Sequence, residues 1–200
     1  MAQRKEPWGD AVGDVPWAAV LPPAPGDLRI VQAFVNTADL PTRTDELASL
    51  TGLQDWLKRW GLAPAGGVTV ADHRCAVDVR DGLRSFLRAN VGLRVDADAV
   101  ARLDRAAAAA TLRVRFHGAA TRLEPAADGV NGALGRLVRI VAETRQDGSW
   151  KRLKLCANEV CGRSFYDFSR IANGRWCVLR CGNLINSRIY RRRYPGHHWT

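Results

Sequence analysis

The chain is 200 residues long and 46% apolar, with 30 Lys and Arg against 20 Asp and Glu, a formal charge of +10 and a pI near 10.1. The length suits one ordinary domain with a small appendage, and the apolar share can fill a sizeable core. No segment approaches the roughly 18 apolar residues of a membrane span and the N-terminus has no signal-peptide core, so no membrane partner is expected and a reducing cytoplasm is the expected compartment.

The charge is uneven. Residues 151–200 hold 11 basic and 2 acidic side chains, whereas residues 1–150 hold 19 and 18. This pattern is a near-neutral body with a tail suited to a polyanion. Five of the nine prolines fall in the first 25 residues, so residues 1–27 read as a flexible, Pro-rich arm. Residues 28–148 read as a mainly helical domain. TGLQ at 51–54 resembles a capping box and Gly61 a C-terminal stop. Leu47, Leu50, Leu53, Leu57 and Trp60 recur around them at spacings of three and four, the stripe of an amphipathic helix. Cys75, Val79, Leu83, Phe86 and Leu87 mark a second helix, which makes Cys75 a small core residue. Asp96 or Asp98 caps a third. The period then shortens to two in TLRVRFHG and ATRLEPA, which can pair as a hairpin, before a last helix carrying Leu134, Leu137, Val138 and Val141. QDGS at 146–149 is the expected boundary, and residues 149–200 form a second unit.

Four of the five cysteines lie in that unit, as Cys156-x4-Cys161 and Cys177-x3-Cys181. Two close pairs separated by a short spacer bring four thiolates to the corners of a tetrahedron, and Zn2+ is the ion expected there. SFYDF reads as a strand, Asn173-Gly174 as a tight turn and RWC at 175–177 as the returning strand. A helix begins near Val178 and runs to Pro195-Gly196. Leu184 or Ile185, followed by Ile189, forms the stripe that should pack on the hairpin. The expected class is therefore α+β: a mainly helical N-terminal domain with a small β-hairpin, followed by a treble-clef-like zinc finger with four cysteine ligands.

These residues resemble a known family. Cys156-x4-Cys161, the aromatic strand, Trp176-Cys177-x3-Cys181-Gly182-Asn183 and the basic helix resemble the CGNR zinc finger. FVNT at 34–37 and the block DELASLTGLQDWLKRWGL are similar to the ABATE domain that precedes this finger in bacterial proteins. The resemblance implies a stress-induced transcription regulator. One position departs: the fourth motif residue is Leu184, not Arg. If that Arg contacts nucleic acid in relatives, the contact is lost here or moved to Arg180 or Arg188. The four ligands are intact.

The basic helix is then the expected working surface. Arg180, Arg188, Arg191, Arg192 and Arg193 lie on or beside it, Arg170 and Arg175 lie around the hairpin, and Tyr190 and Tyr194 interleave with the charge. Asn183 either reads a base edge or caps the helix start, the cap being the expected role. DNA is the expected partner, with RNA as a variant, since stacked single strands suit Tyr and Arg. Catalysis finds little support. The chain has no Gly-rich phosphate loop and no Gly-x-Ser-x-Gly, His73 and His117 are isolated, and His197 and His198 are superfluous beside four cysteines. Two functions compete. One is a DNA-binding regulator whose helical domain senses a small-molecule effector or forms a homodimer. The other is a non-enzymatic protein–protein interaction module with a purely structural zinc.

Overall fold

The structure, a computed structural model, describes residues 21–118 and 120–193. In chain order these form α1 (Leu28–Val35), β1 (Ala38–Asp39), β2 (Thr44–Asp45), α2 (Leu50–Arg59), α3 (Val70–Arg88), α4 (Ala97–Ala110), β3 (Leu112–His117), β4 (Ala120–Pro125), α5 (Gly129–Gln146), β5 (Leu153–Leu155), β6 (Ser164–Tyr166) and α6 (Leu179–Arg193). Each successive pair of strands makes a separate antiparallel ribbon. Two-stranded ribbons are marginal alone, so the helices carry most of the packing. No helix among the described residues is long and apolar enough to cross a membrane.

The helix ends follow local chemistry that the sequence reveals only in part. The cap of α2 is Ser49 rather than Thr51. Ser49 is extended, and its Oγ accepts the Gly52 N–H, which leaves Thr51 inside the first turn. Gly61 does stop this helix. With φ at +64°, it donates to Lys58 O, and the Leu62 N–H reaches Leu57 O at 2.8 Å, a Schellman closure. Helix α3 opens on a capping box between Thr69 and Asp72. Asp96 caps α4, accepting from the Asp98 and Ala99 N–H groups. The expected hairpin is β3 with β4, in a register that pairs Val114 with Leu123 and Arg115 with Arg122.

The apolar stripes converge on one core. Leu53, Trp56 and Leu57 of α2 meet Val79, Leu83 and Leu87 of α3 and Leu134, Leu137 and Ile140 of α5. Phe34 of α1 stands edge-on to Trp56, with ring centroids 4.9 Å apart. Leu50 shares the spacing but faces outward, and Cys75 and Val138 are only half-buried against the core. Burial, then Asp78 and Asp72, push the Cys75 thiol up, so it behaves as an inert apolar group. Helices α3 and α4 cross at Gly82, where a Cβ would lie 2.7 Å from the Leu103 Cβ.

The core extends past residue 149. Trp150, Leu153 and Leu155 belong to it, so β5 is anchored among the helices and carries the second unit with it. At the other end, residues 1–20 of the stretch read as an arm lie outside the described residues. In the remainder Leu21 and Ala24 are buried, and Gln32 clamps the backbone by accepting the Ala24 N–H.

Candidate metal centre and nucleic-acid interface

The strand that follows the first cysteine pair does not pair with RWC at 175–177. Instead β6 pairs with β5, Leu155 opposite Ser164, and the Cys156 and Cys161 knuckle forms the loop between them. The reason lies in Lys154, which is buried. Its ammonium gives all three of its protons, to Asp167 Oδ2 at 2.8 Å, Ala172 O at 2.6 Å and Gly174 O at 2.9 Å. Asp167 in turn accepts the N–H groups of Ser169 and Gly174. One buried ion pair therefore gathers residues 167–174 by side-chain bonds, and no returning strand is needed. Burial alone would raise the Asp167 carboxyl, but the bonds from Lys154, Ser169 and Gly174 outweigh it and hold the group well below the usual carboxylate range.

Three polar groups tie this hairpin to the helical body. Asn36, at the end of α1, donates from Nδ2 to Ser164 O and accepts the Ser164 N–H at Oδ1, at 2.9 and 2.7 Å. It thus supplies β6 with the pair of bonds that a neighbouring strand would give. Arg163 meets Asp39 in a two-pronged pair, Nε to Oδ1 and Nη2 to Oδ2, both at 2.8 Å and both residues buried. Arg84 of α3 bonds Val35 O, Ala38 O and Gly162 O. Gly162, at φ +54°, is the residue that lets the chain pass so close to this guanidinium. None of these ties is visible in the sequence. FVNT at 34–37 stands out as a pattern, but nothing in it signals that Asn36 seeks a strand 128 residues away.

The four cysteines come together as expected. Cys156, Cys161 and Cys181 are buried, Cys177 is half-buried, and the four Sγ atoms all lie within 4.8 Å of one another. Cys161 and Cys177 are 3.5 Å apart and Cys177 and Cys181 3.8 Å. A disulfide needs about 2.05 Å, so none is present. A tetrahedral ion with bonds of about 2.3 Å holds its ligands about 3.8 Å apart, and the observed spacings bracket that value. The cluster suits a thiophilic, four-coordinate cation and leaves it no open position. Hydrogen bonds from Cys161, then Cys177 and Cys181, pull Cys156 far below the usual thiol range, while donation to Cys156, Cys161 and Cys181 pushes Cys177 far above it. Without a cation the four sulfurs must share protons in this way, and all four can be thiolates only with a cation between them. Trp176 and Val178 cover the cluster. Cys181 sits in the first turn of α6, where the partial positive end of the helix favours its charge.

Helix α6 begins at Leu179, so Asn183 lies inside the helix and does not cap it. The apolar stripe fails beyond the first turns. Cys181 and Gly182 are buried and Leu184 and Ile185 half-buried, but Ile189 is 58% exposed. Fifteen helical residues span about 22 Å, whereas three-residue strands span about 10 Å, so the second half of α6 extends past the hairpin. Arg180, Asn183, Leu184, Ser187 and Arg191 share one face of the helix, with the half-buried Leu184 on its edge. The residue replacing the motif arginine thus sits on the face that Arg180 and Arg191 flank. Arg170, Arg175, Arg188, Arg192 and Arg193 are exposed as well. Among the described residues none of these seven arginines pairs with a carboxylate. Tyr194, His197 and His198 lie outside the described residues, and His73 is spent on Leu47 O at 2.7 Å.

Comparison with known families places both halves. Residues 28–148 match the ABATE family, described as a putative stress-induced transcription regulator, and residues 152–194 match the CGNR zinc finger. Neither is an enzyme family. No curated protein matches the chain.

Proposed function

Since the chain belongs to the ABATE family and carries a CGNR zinc finger after that domain, we propose that it is a cytoplasmic, bacterial, zinc-dependent regulator of transcription that binds DNA through α6. The observation that carries this reading is the set of seven exposed arginines without carboxylate partners among the described residues, five of them on one helix braced by the cysteine cluster. Zinc has a structural role at Cys156, Cys161, Cys177 and Cys181, because four protein ligands leave no place for substrate or water. The helix projects past the hairpin with Arg180, Asn183, Arg188 and Arg191 to Arg193 reachable from solvent. An α-helix fits the roughly 12 Å width of the major groove, and the arginines would neutralise phosphates there. Arg170 and Arg175 flank the same unit. In this account the helical body serves as effector sensor or dimerisation domain, and the protein is not an enzyme.

The test is binding of a mixed-sequence DNA duplex by the zinc-loaded and chelated protein. The account expects tight binding only with zinc, since metal binding and finger folding are linked. Equal affinity with and without metal would refute it. A protein-binding role has one observation in its favour. Val160, Phe168, Ile171 and Leu179 are exposed apolar residues on the same unit. It expects a partner that competes with nothing on DNA and an α6 whose arginines can be removed without loss of binding.

A further inference from the structure

A cleft of about 580 Å³ opens where the helical body meets the finger, between α3, the segment leading into α4 and the knuckle that carries Cys156 and Cys161. That volume is of the size that takes small organic ligands. Four arginines face it, and they differ in their partners. Arg102 lies 3.3 Å from Asp78, and Arg88 lies 3.8 Å from Glu159 while its Nε donates to Arg94 O. Arg84 bonds three carbonyl oxygens and, among the described residues, has no carboxylate within ion-pair distance. Burial, then repulsion from Arg80, holds its pKa below the usual guanidinium value, as expected of a positive charge with incomplete compensation. Arg94 is exposed at the rim and makes no side-chain bond among the described residues. Among the described residues Arg84 and Arg94 therefore face the cleft without an ion-pair partner, although Asp81, Asp39 and Asp45 act on Arg84 at longer range.

The rest of the lining narrows the ligand. Asp96 already caps α4, Asp81 lies 3.5 Å from the Arg80 Nε, and Glu159 reaches toward Arg88. These carboxylates would repel a polyanion such as nucleic acid, whereas a small anion can sit among the arginines. Leu40, Val95 and Leu155 add an apolar wall suited to carbon. We infer that this cleft binds a small organic oxyanion, a carboxylate or a phosphate monoester, held by Arg94 and Arg88 above Arg84. The inference rests on the sensor role proposed for the helical body and gives that role a site. It also gives a route to the finger. Glu159 lies between two of the clustered cysteines, and an anion that takes Arg88 competes with it directly.

The experiment is isothermal titration of the full-length, zinc-loaded protein with inorganic phosphate, phenyl phosphate and benzoate, at ionic strength fixed with chloride. Saturable one-to-one binding of phenyl phosphate or benzoate, tighter than that of inorganic phosphate, is expected. Which of the two binds more tightly separates a phosphate ester from a carboxylate. Arg94→Ala should weaken it about tenfold or more, as loss of a charged hydrogen bond does. Arg94→Lys should recover part of the loss. An Arg191/Arg192/Arg193→Ala variant should bind as the wild type does. No saturable binding of any probe, or binding that Arg94→Ala leaves intact, overturns the inference. Since no DNA is present, a failure here is distinguishable from a failure of the DNA-binding reading.

Discussion

Replacing Asn36 with Ala removes the two hydrogen bonds that dock β6 on the end of α1. Both are short, at 2.9 and 2.7 Å, and Asn36 is 1% exposed, so water cannot replace them without opening the interface. The Ser164 N–H and C=O are each left buried without a partner, at about 1–3 kcal/mol apiece. A loss of roughly 3 kcal/mol is expected, a large share of the ~5–15 kcal/mol that a domain has. Urea unfolding followed by circular dichroism measures it. Ser164→Ala provides the contrast, because the Ser164 hydroxyl is buried with no hydrogen-bond partner among the described residues and its removal should be neutral or stabilising. An Asn36→Ala loss below about 1 kcal/mol, or a Ser164→Ala loss as large as that of Asn36→Ala, would refute the reasoning that the backbone of β6 is what Asn36 holds.

Asp167 is held below the usual carboxylate range, so its stabilising share is complete above the ordinary value near ~3.9 and is lost as pH falls toward the depressed one. The stability difference between wild type and Asp167→Asn should therefore shrink below about pH 4, and a difference independent of pH would contradict the pairing with Lys154. Gly82→Ala places a methyl 2.7 Å from the Leu103 Cβ and 2.8 Å from Ala99 O, an overpacking cost of about 1–3 kcal/mol. This should outweigh the helix propensity of Ala and lower Tm; an unchanged Tm would mean the helices separate freely. Removing the metal with a chelator should expose the α6 amides to hydrogen exchange while α1 to α5 stay protected. Simultaneous loss of protection along the whole chain would contradict the reading of the finger as a unit that unfolds on its own.

The elements that the sequence reveals are those whose stabilising partners are close in the chain. The α2 stripe ending at Gly61, the alternation in β3 and β4 and the two cysteine pairs all follow from spacing alone. The β5–β6 ribbon escapes such a reading because its cause is a lysine: nothing in LKL announces that Lys154 will be buried and will collect Asp167, Ala172 and Gly174. Ser49 and Thr51 are both good N-caps by residue type, and only the backbone conformation decides for Ser49. Asn183 has the residue type of a cap, but the helix is already under way four residues before it. The stripe at Ile185 and Ile189 is real at helical spacing, but periodicity says nothing of how far the opposing hairpin extends. The inter-domain ties at Asn36, Asp39 and Arg84 join residues 78 to 128 positions apart, beyond any local pattern.

The claim that α6 meets nucleic acid is tested most directly by measuring affinity for mixed-sequence duplex DNA against salt concentration, for the zinc-loaded protein and an Arg191/Arg192/Arg193→Ala variant. Each phosphate contact contributes about 0.9 to the slope of log K against log [salt]. The account predicts a steep negative slope that becomes shallower by up to about 2.7 in the variant, with zinc content unchanged. Negligible affinity that does not respond to salt, or identical slopes for the two proteins, would contradict it and would place these arginines on a protein partner.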